Sequence, residues 1–491
     1  MPQFSWLTQT AAIAQLQARL SSTSFWTSAE CWLYLTEALR HWSALTECWP
    51  SDFPFSQANG AWINTGTVTG SPRLRSVTDS NLYTSMQYML LENPVGGAAW
   101  TGTPQFSLSD LQTGLQDRAQ EVIQSAACNF GLVTPSAAPN TRRMVLPDTV
   151  LQPRRVRFMA VSVNTTGTAS IGSYNLSVAA SAGVAVGQIV AGTGISPGTF
   201  VAALVGANVT LSQPTTAALS GTAVQFFQPQ TLTREDSQSF QYFEPDYLQE
   251  TGVPLSWSMV SEPPLAIDLD IATNAPGQCE VLALVAAPVF APPAASLLGV
   301  PDDWSWLPMY GALADVLSRE PEATDRARAK YCIDRYTAGL DMIRNGNWLL
   351  KATVNGEVAD TPSLQEVDDY DPEWQCTGGG LPTVVQAGID FMAPYPGYGQ
   401  SVTATLVGNA PLLDPAGKYV QVARDDWPSI LGYAAHVAAF KQGGAEFAAT
   451  MPLLMDFYRA AAAFTKKLLT YGPYADILRG QGEREETEVV R

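Results

Sequence analysis

A stretch of 76 consecutive residues, Phe158 to Thr233, carries no Asp, Glu, Lys, Arg or His. Within it, short Val, Ile, Leu and Ala runs alternate with glycine-bearing turns, at Ser173–Val178, Gln188–Val190, Phe200–Val205 and Asn208–Leu211. That is the pattern of many short strands. The segment reads as a small, neutral all-β module over 164–228, inserted into a β-rich domain made of 136–163 and 229–300. The surrounding domain resumes with charge at Arg234-Glu235-Asp236.

The flanks have a different periodicity. Ala11, Ile13, Leu16 and Leu20, then Trp26, Trp32, Tyr34, Leu35, Leu39, Trp42, Leu45 and Trp49, recur at near-helical spacing. Residues 50–78 are rich in Pro, Gly, Asn and Ser and read as a loop or extended arm. Helices follow at 79–91 and 107–128, the second with Leu108, Leu111, Leu115, Ala119, Val122 and Ile123 as its stripe. The span 1–135 is thus an N-terminal helical region. Asp302-Asp303 open a helix with Trp304, Leu307, Leu313 and Leu317 on its apolar side. Pro321 suits the first turn of a second helix carrying Cys332, Tyr336, Leu340 and Ile343. These make a hairpin over 301–348. Residues 349–427 revert to strands and turns, 428–479 hold C-terminal helices, and 480–491 is a charged tail. The fold class expected is α+β, with N- and C-terminal helical bundle regions flanking the β-rich domain and its insert.

Charge narrows the function classes. Charged residues are 15% of the chain, against ~25% in an ordinary soluble domain. The formal net charge is −18. That argues against DNA or an anionic membrane as the main partner, since both demand cationic surface. Only His41 and His436 are available as imidazoles, which disfavours most zinc sites and Ser-His-Asp chemistry. The six cysteines include no C-x-x-C pair and are expected reduced and buried. Met1–Trp6 lacks the basic start and apolar run of a secretory signal. No catalytic residue, cofactor or metal is assigned.

Three constellations invite a functional reading. Gly192–Gly198 resembles a phosphate loop but lacks the Lys-Ser/Thr ending and a following helix, so turns between strands account for it better. Asp368, Asp369, Asp371 and Glu373 offer oxygen ligands for a divalent cation, yet match no EF-hand spacing, and a solvated loop is the plainer account. Arg142, Arg143, Arg154, Arg155 and Arg157 cluster in a chain otherwise short of cations. Their forks suit carboxylates and phosphates. Pairs between subunits, pairs within the chain, and passing contact with nucleic acid are the three readings. Trp26, Trp32, Trp42, Trp304, Trp306 and Tyr336 join the arginines as candidate subunit contacts, a monomer core being the alternative.

The run Pro301-Asp302-Asp303-Trp304-Ser305-Trp306-Leu307-Pro308-Met309-Tyr310-Gly311-Ala312-Leu313-Ala314, followed by Pro321-Glu322-Ala323-Thr324-Asp325-Arg326-Ala327 and Tyr336, resembles the helical hairpin of head–tail adaptor (neck or connector) proteins of tailed bacteriophages. Val186-Gly187-Gln188-Ile189-Val190, Gly194-Ile195-Ser196-Pro197-Gly198-Thr199 and Val209-Thr210-Leu211-Ser212 resemble a small β module recurring in phage structural proteins. The resemblance implies a non-catalytic virion protein, made in the host cytoplasm and placed at the head–tail junction or in the tail. It implies a homo-oligomeric ring, commonly twelvefold, between portal protein and distal tail, nozzle and fibre proteins. Double-stranded DNA would pass through without sequence recognition, and no membrane is involved. A nozzle, tail-tube or fibre-anchoring protein is the alternative, and a virion-borne hydrolase the third reading.

Overall fold

The computed structural model describes residues 4–20, 24–47, 50–56, 79–90, 106, 108–196, 198–243, 249–260, 264–274, 276–287, 289–290, 298–301, 304–319, 326–345, 348–370, 383–392, 401–407, 412–414 and 419–465. Helices and strands both build the fold, which is mixed α+β. The N-terminal part supplies α1 (Gln9–Leu20), α2 (Ser28–Thr46), α3 (Asp79–Met89) and α4 (Leu108–Ala126). A short α5 (Ser237–Phe243) lies in the β-rich middle. Then come α6 (Trp306–Arg319), α7 (Arg326–Asn345), α8 (Leu364–Tyr370), α9 (Trp427–Ala439), α10 (Gly444–Ala449) and α11 (Met451–Phe464). The charged tail 480–491, Trp49, Asp302, Asp303 and Pro321 lie outside the described residues.

Local chemistry sets several boundaries. Thr27 caps α2: Glu30 N donates to Thr27 Oγ1 at 3.3 Å and Thr27 N donates to Glu30 Oε2 at 2.7 Å, a reciprocal capping box. Within the C-terminal helices expected over 428–479, the chain breaks at Thr450, because Pro452 has no N–H to continue a ladder and instead sits in the first turn of α11. The arm expected at 50–78 begins as a strand, Pro50–Ser56, paired antiparallel with Ser401–Val407; residues 57–78 are outside the described residues.

The N-terminal, middle and C-terminal helices do not form separate bundles. Residues of α1, α2, α3, α4, α6, α7, α9, α10 and α11 belong to one hydrophobic cluster that includes Trp42, Tyr310, Tyr433 and Phe457. Small residues let its helices close up. The Cα of Gly114 on α4 faces Ala312 of α6, and a Cβ at Gly339 on α7 would lie 2.3 Å from Leu307 and 2.6 Å from Trp306. The pairing of Trp306 with Gly339 and of Gly311 with Tyr336 makes α6 and α7 an antiparallel hairpin. Arg118 on α4 clamps it, with Nε and Nη2 on the two carboxylate oxygens of Asp315 at 3.0 and 2.7 Å and Nη1 on Glu121 at 2.8 Å.

The β-rich part is organised by one 20-residue strand, Val150–Ala169. Its first half pairs antiparallel with Gly277–Val285 and its second half with Leu219–Thr231. The neutral segment has its own core of Leu176, Val190, Val201, Val209, Val224 and Phe226. The expected module edges at 164 and 228 nevertheless fall mid-ribbon. Arg157 already faces Thr231, and the pairing continues, through register shifts at Phe226/Phe227 and Leu219/Thr222, to Ala169 and Leu219. The two strands that leave the surrounding sheet are the same strands that floor the module. Gly192–Gly198 is a connection between the strands Ile189–Gly192 and Val201–Val205, with Gly194 and Gly198 at positive φ.

Candidate functional site

Most of the tryptophans proposed for subunit contact are inside the chain. Trp26, Trp42, Trp304, Trp306 and Tyr336 are at most 4% exposed. They fail as interface residues for a physical reason: nine helices converge on them, and their rings are already covered. Trp304 packs edge-on against Trp348 at 4.4 Å, and Trp26 Nε1 donates to Ala438 O at 3.0 Å. Tyr336 OH donates to Glu121 at 2.6 Å. Trp32 is half-buried beside a cavity of about 230 Å³ between α2, α3 and α6.

The arginine cluster divides: Arg155 and Arg157 are buried, whereas Arg143 and Arg154 are exposed. Arg143 grips Asp268 bidentately, with Nε and Nη2 each at 2.7 Å. Arg157 pairs with Glu280, both buried, on directly facing positions of adjacent strands. Arg142 Nε donates to Leu269 O at 3.3 Å. Arg155, 5% exposed, reaches Asp368 at 3.4 Å. Arg143, Arg155 and Arg157 pair within the chain, and burial of Arg155 and Arg157 corrects the assignment of those two to subunit contacts. Arg154 is the exception: among the described residues it makes no hydrogen bond or ion pair.

Both histidines sit inside the aromatic core. His41 stacks on Phe457 with centroids 5.4 Å apart, and burial, with the nearby Arg335, holds its pKa well below the ordinary value. Burial drives His436 down to about 3, against a hydrogen-bond contribution from Thr450 that raises it. Neither faces a cleft. Cys31, Cys128, Cys279 and Cys332 are buried thiols outside any disulfide, and burial pushes the Cys279 thiol up to about 12. Cys48 and Cys376 are outside the described residues. Among the described residues no group of three or more His, Cys, Asp or Glu is placed to hold a metal ion, and no helix is long and apolar enough to cross a membrane.

One open cleft collects residues that the sequence had flagged separately. It has a volume of about 700 Å³, within the ~300–1,000 Å³ range of ligand pockets. One wall is Arg154 and Arg155 on the long strand, with Arg234 and Trp257 beside them; the other is α8, with Gln365, Asp368 and Asp369. Consecutive strand residues normally point to opposite faces. Here the pairing register slips: Leu282 faces Arg155 and Ala283 faces Pro153, so Arg154 is the extra residue of a β-bulge. The bulge lets neighbouring arginines line the same cleft. Arg234 faces Trp257 in parallel register, and its guanidinium lies 5.6 Å from the indole centroid.

The acidic wall is built locally. Ser363 and Glu366 form a second capping box: Glu366 N donates to Ser363 Oγ at 3.2 Å and Ser363 N donates to Glu366 Oε2 at 2.8 Å. Those bonds, backbone first, hold the Glu366 carboxyl below its usual range. The helix so started places Gln365, Asp368 and Asp369 at i, i+3 and i+4, on one face. The acidic run was expected to be a solvated loop. Its first two members are helical, and Asp371 and Glu373 are outside the described residues. The Ser-x-x-Glu signature at 363–366 was the available signal. Arg234 and Trp257 were missed as partners of the cluster, although Arg234 is the first charge after the neutral run.

No protein family's sequence profile matches the chain. No curated protein matches it in sequence.

Proposed function

We propose that the protein is a non-catalytic structural subunit of a tailed-phage particle, a head-to-tail adaptor that forms a ring between portal and distal tail around the DNA channel. The observation that carries this reading is the α6–α7 hairpin. Of the residues that resemble the adaptor hairpin, Trp306–Ala314 and Arg326, Ala327 and Tyr336 lie on an antiparallel helix pair, locked onto α4 by Arg118 and by the Tyr336–Glu121 bond. In the proposed arrangement the helical body supports the β-rich domain, and the neutral module projects outward for decoration or fibre attachment. The module suits that place, since it is joined to the rest by the strands Val150–Ala169 and Leu219–Thr231.

A ring subunit needs heterologous contacts that close by rotation. With the tryptophans buried, those contacts fall to other surfaces. Leu33 beside Trp32, Tyr242, and Tyr370 at the end of α8 are exposed apolar residues outside the module. Size exclusion with light scattering, alone and with portal protein present, tests the reading. A ring-sized species that binds portal supports it. A monomer that never joins a ring with portal present overturns it, and sixfold or threefold placement far from the portal would instead favour a tail-tube, nozzle or fibre-anchoring role.

A further inference from the structure

The cleft between the bulged strand and α8 has more cationic capacity than its own acids use. Arg155 is engaged by Asp368. Arg154 and Arg234 make no hydrogen bond or ion pair among the described residues, and Arg234 instead rests on the Trp257 ring. The two are close enough that the charge of Arg234, added to burial, lowers the pKa of Arg154. Two guanidiniums held near each other repel unless an anion lies between them, and guanidinium forks match planar or tetrahedral oxyanions. The bulge at Arg154 is a second, independent sign, because it turns toward the cleft a side chain that a regular strand would aim away from Arg155.

We propose that this cleft is a binding site for an oxyanion-bearing ligand, with Arg154 and Arg234 gripping a carboxylate or phosphate group above the Trp257 floor. The opposite wall defines the rest of the ligand. Gln365, Asp368 and Asp369 face the cleft from α8, and carboxylates there accept hydrogen bonds and repel a second anion. The ligand therefore carries its negative charge at one end and hydrogen-bond donors at the other. The site stands independently of the ring proposal.

Calorimetric titration of the full chain with inorganic phosphate, and separately with succinate, at constant ionic strength set by chloride, tests this. Saturable binding of either supports the site, and the tighter of the two names the oxyanion class. Arg154→Gln and Arg234→Gln should each weaken binding by about tenfold or more, the loss of a charge-assisted bond. Arg154→Lys should recover only part of it, because an ammonium cannot fork. Asp369→Asn removes a repelling charge without touching the arginines and should tighten binding by a few-fold. No saturable heat with either anion overturns the proposal, as does equal binding by Arg154→Gln. Should the arginine variants not fold, Asp369→Asn decides: tighter binding supports the site and unchanged binding overturns it.

Discussion

In the helical body, Arg335 is fully buried, donates to Glu37 at 2.9 Å and lies 3.8 Å over the Trp306 ring. Lys441, 4% exposed, reaches Glu30 at 2.7 Å. In the neutral module, Leu176, Val209 and Phe226 are just as buried and meet no charge at all. The helical body joins segments hundreds of residues apart and fixes their register with directional, desolvated pairs. The module joins strands from one continuous stretch of the chain, its widest pairing being Arg157 with Thr231, and apolar alternation suffices to set their register. Buried charge is found where distant parts of the chain are joined, and the module, built from one stretch, does without it.

The largest effect should come from removing the carboxylate of a buried pair. Glu37→Leu takes from Arg335 the acceptor 2.9 Å away, and a broken buried pair of this kind costs ~3–5 kcal/mol. None of the 13 tryptophans lies between Phe158 and Thr233, so tryptophan fluorescence reports on the rest of the molecule and not on the module. The fluorescence melting transition should fall sharply. If it stays within a degree or two, the contrast between the two regions is wrong.

Leu176→Ala makes the converse break. It removes a fully buried side chain from the module core and should cost ~2–4 kcal/mol there. Strand signal by infrared spectroscopy should melt earlier while tryptophan fluorescence holds. A joint shift of both would mean that the shared strand Val150–Ala169 couples module and surrounding sheet into one unit.

These two regions were not equally legible. The module's strands follow from composition and alternation, since each short apolar run between glycine-bearing turns carries its own period. Its edges did not, because the ribbon from Arg157–Thr231 to Ala169–Leu219 runs straight through them, with a register shift at Phe226/Phe227 that composition does not mark. For the helices, spacing identified which segments coil, but nothing in Trp42 or Trp306 says that α2, α6 and α11 meet. The same apolar face suits a subunit neighbour or the chain's own core, and only three-dimensional convergence decides. In the cleft, the arginines stood out by rarity. Their re-aiming by a bulge at Arg154 is a register effect, written in the pairing of two strands 120-odd residues apart and invisible in either alone.

Acid should separate the regions next. An unfolded histidine titrates near 6.5, whereas native His436 titrates near 3 and His41 well below its ordinary value. Below about pH 6.5 the unfolded chain therefore binds protons that the native core refuses. Stability is fully present above that pH and drains away as pH falls toward 3. From pH 6.5 to 5 the loss is at most ~2 kcal/mol per histidine. The module has Tyr174 as its lone titratable side chain and should melt at the same temperature across that range. His436→Gln should flatten part of the slope of the fluorescence transition. An unchanged slope would place the acid sensitivity elsewhere.

The smallest effects are the most diagnostic, because one substitution fails in the two regions for opposite reasons. In α7, Gly339→Ala keeps an ordinary helical backbone but drives a methyl into Leu307 and Trp306. Overpacking costs ~1–3 kcal/mol and the better helix propensity of alanine returns ~1, so a net loss near 1 kcal/mol is expected. In the module, Gly206 turns the hairpin between Val201–Val205 and Asn208–Leu211 at φ +61°, with nothing within 4 Å of a new methyl. Gly206→Ala has room, and its loss of roughly 1–2 kcal/mol comes from left-handed backbone alone. Asparagine tolerates that conformation, so Gly206→Asn should recover most of the loss. At Gly339 asparagine is larger than alanine and should make matters worse. Chemical denaturation of the four variants reads both signs, and recovery by asparagine at both sites, or at neither, would show that packing and backbone are not divided between the regions in this way.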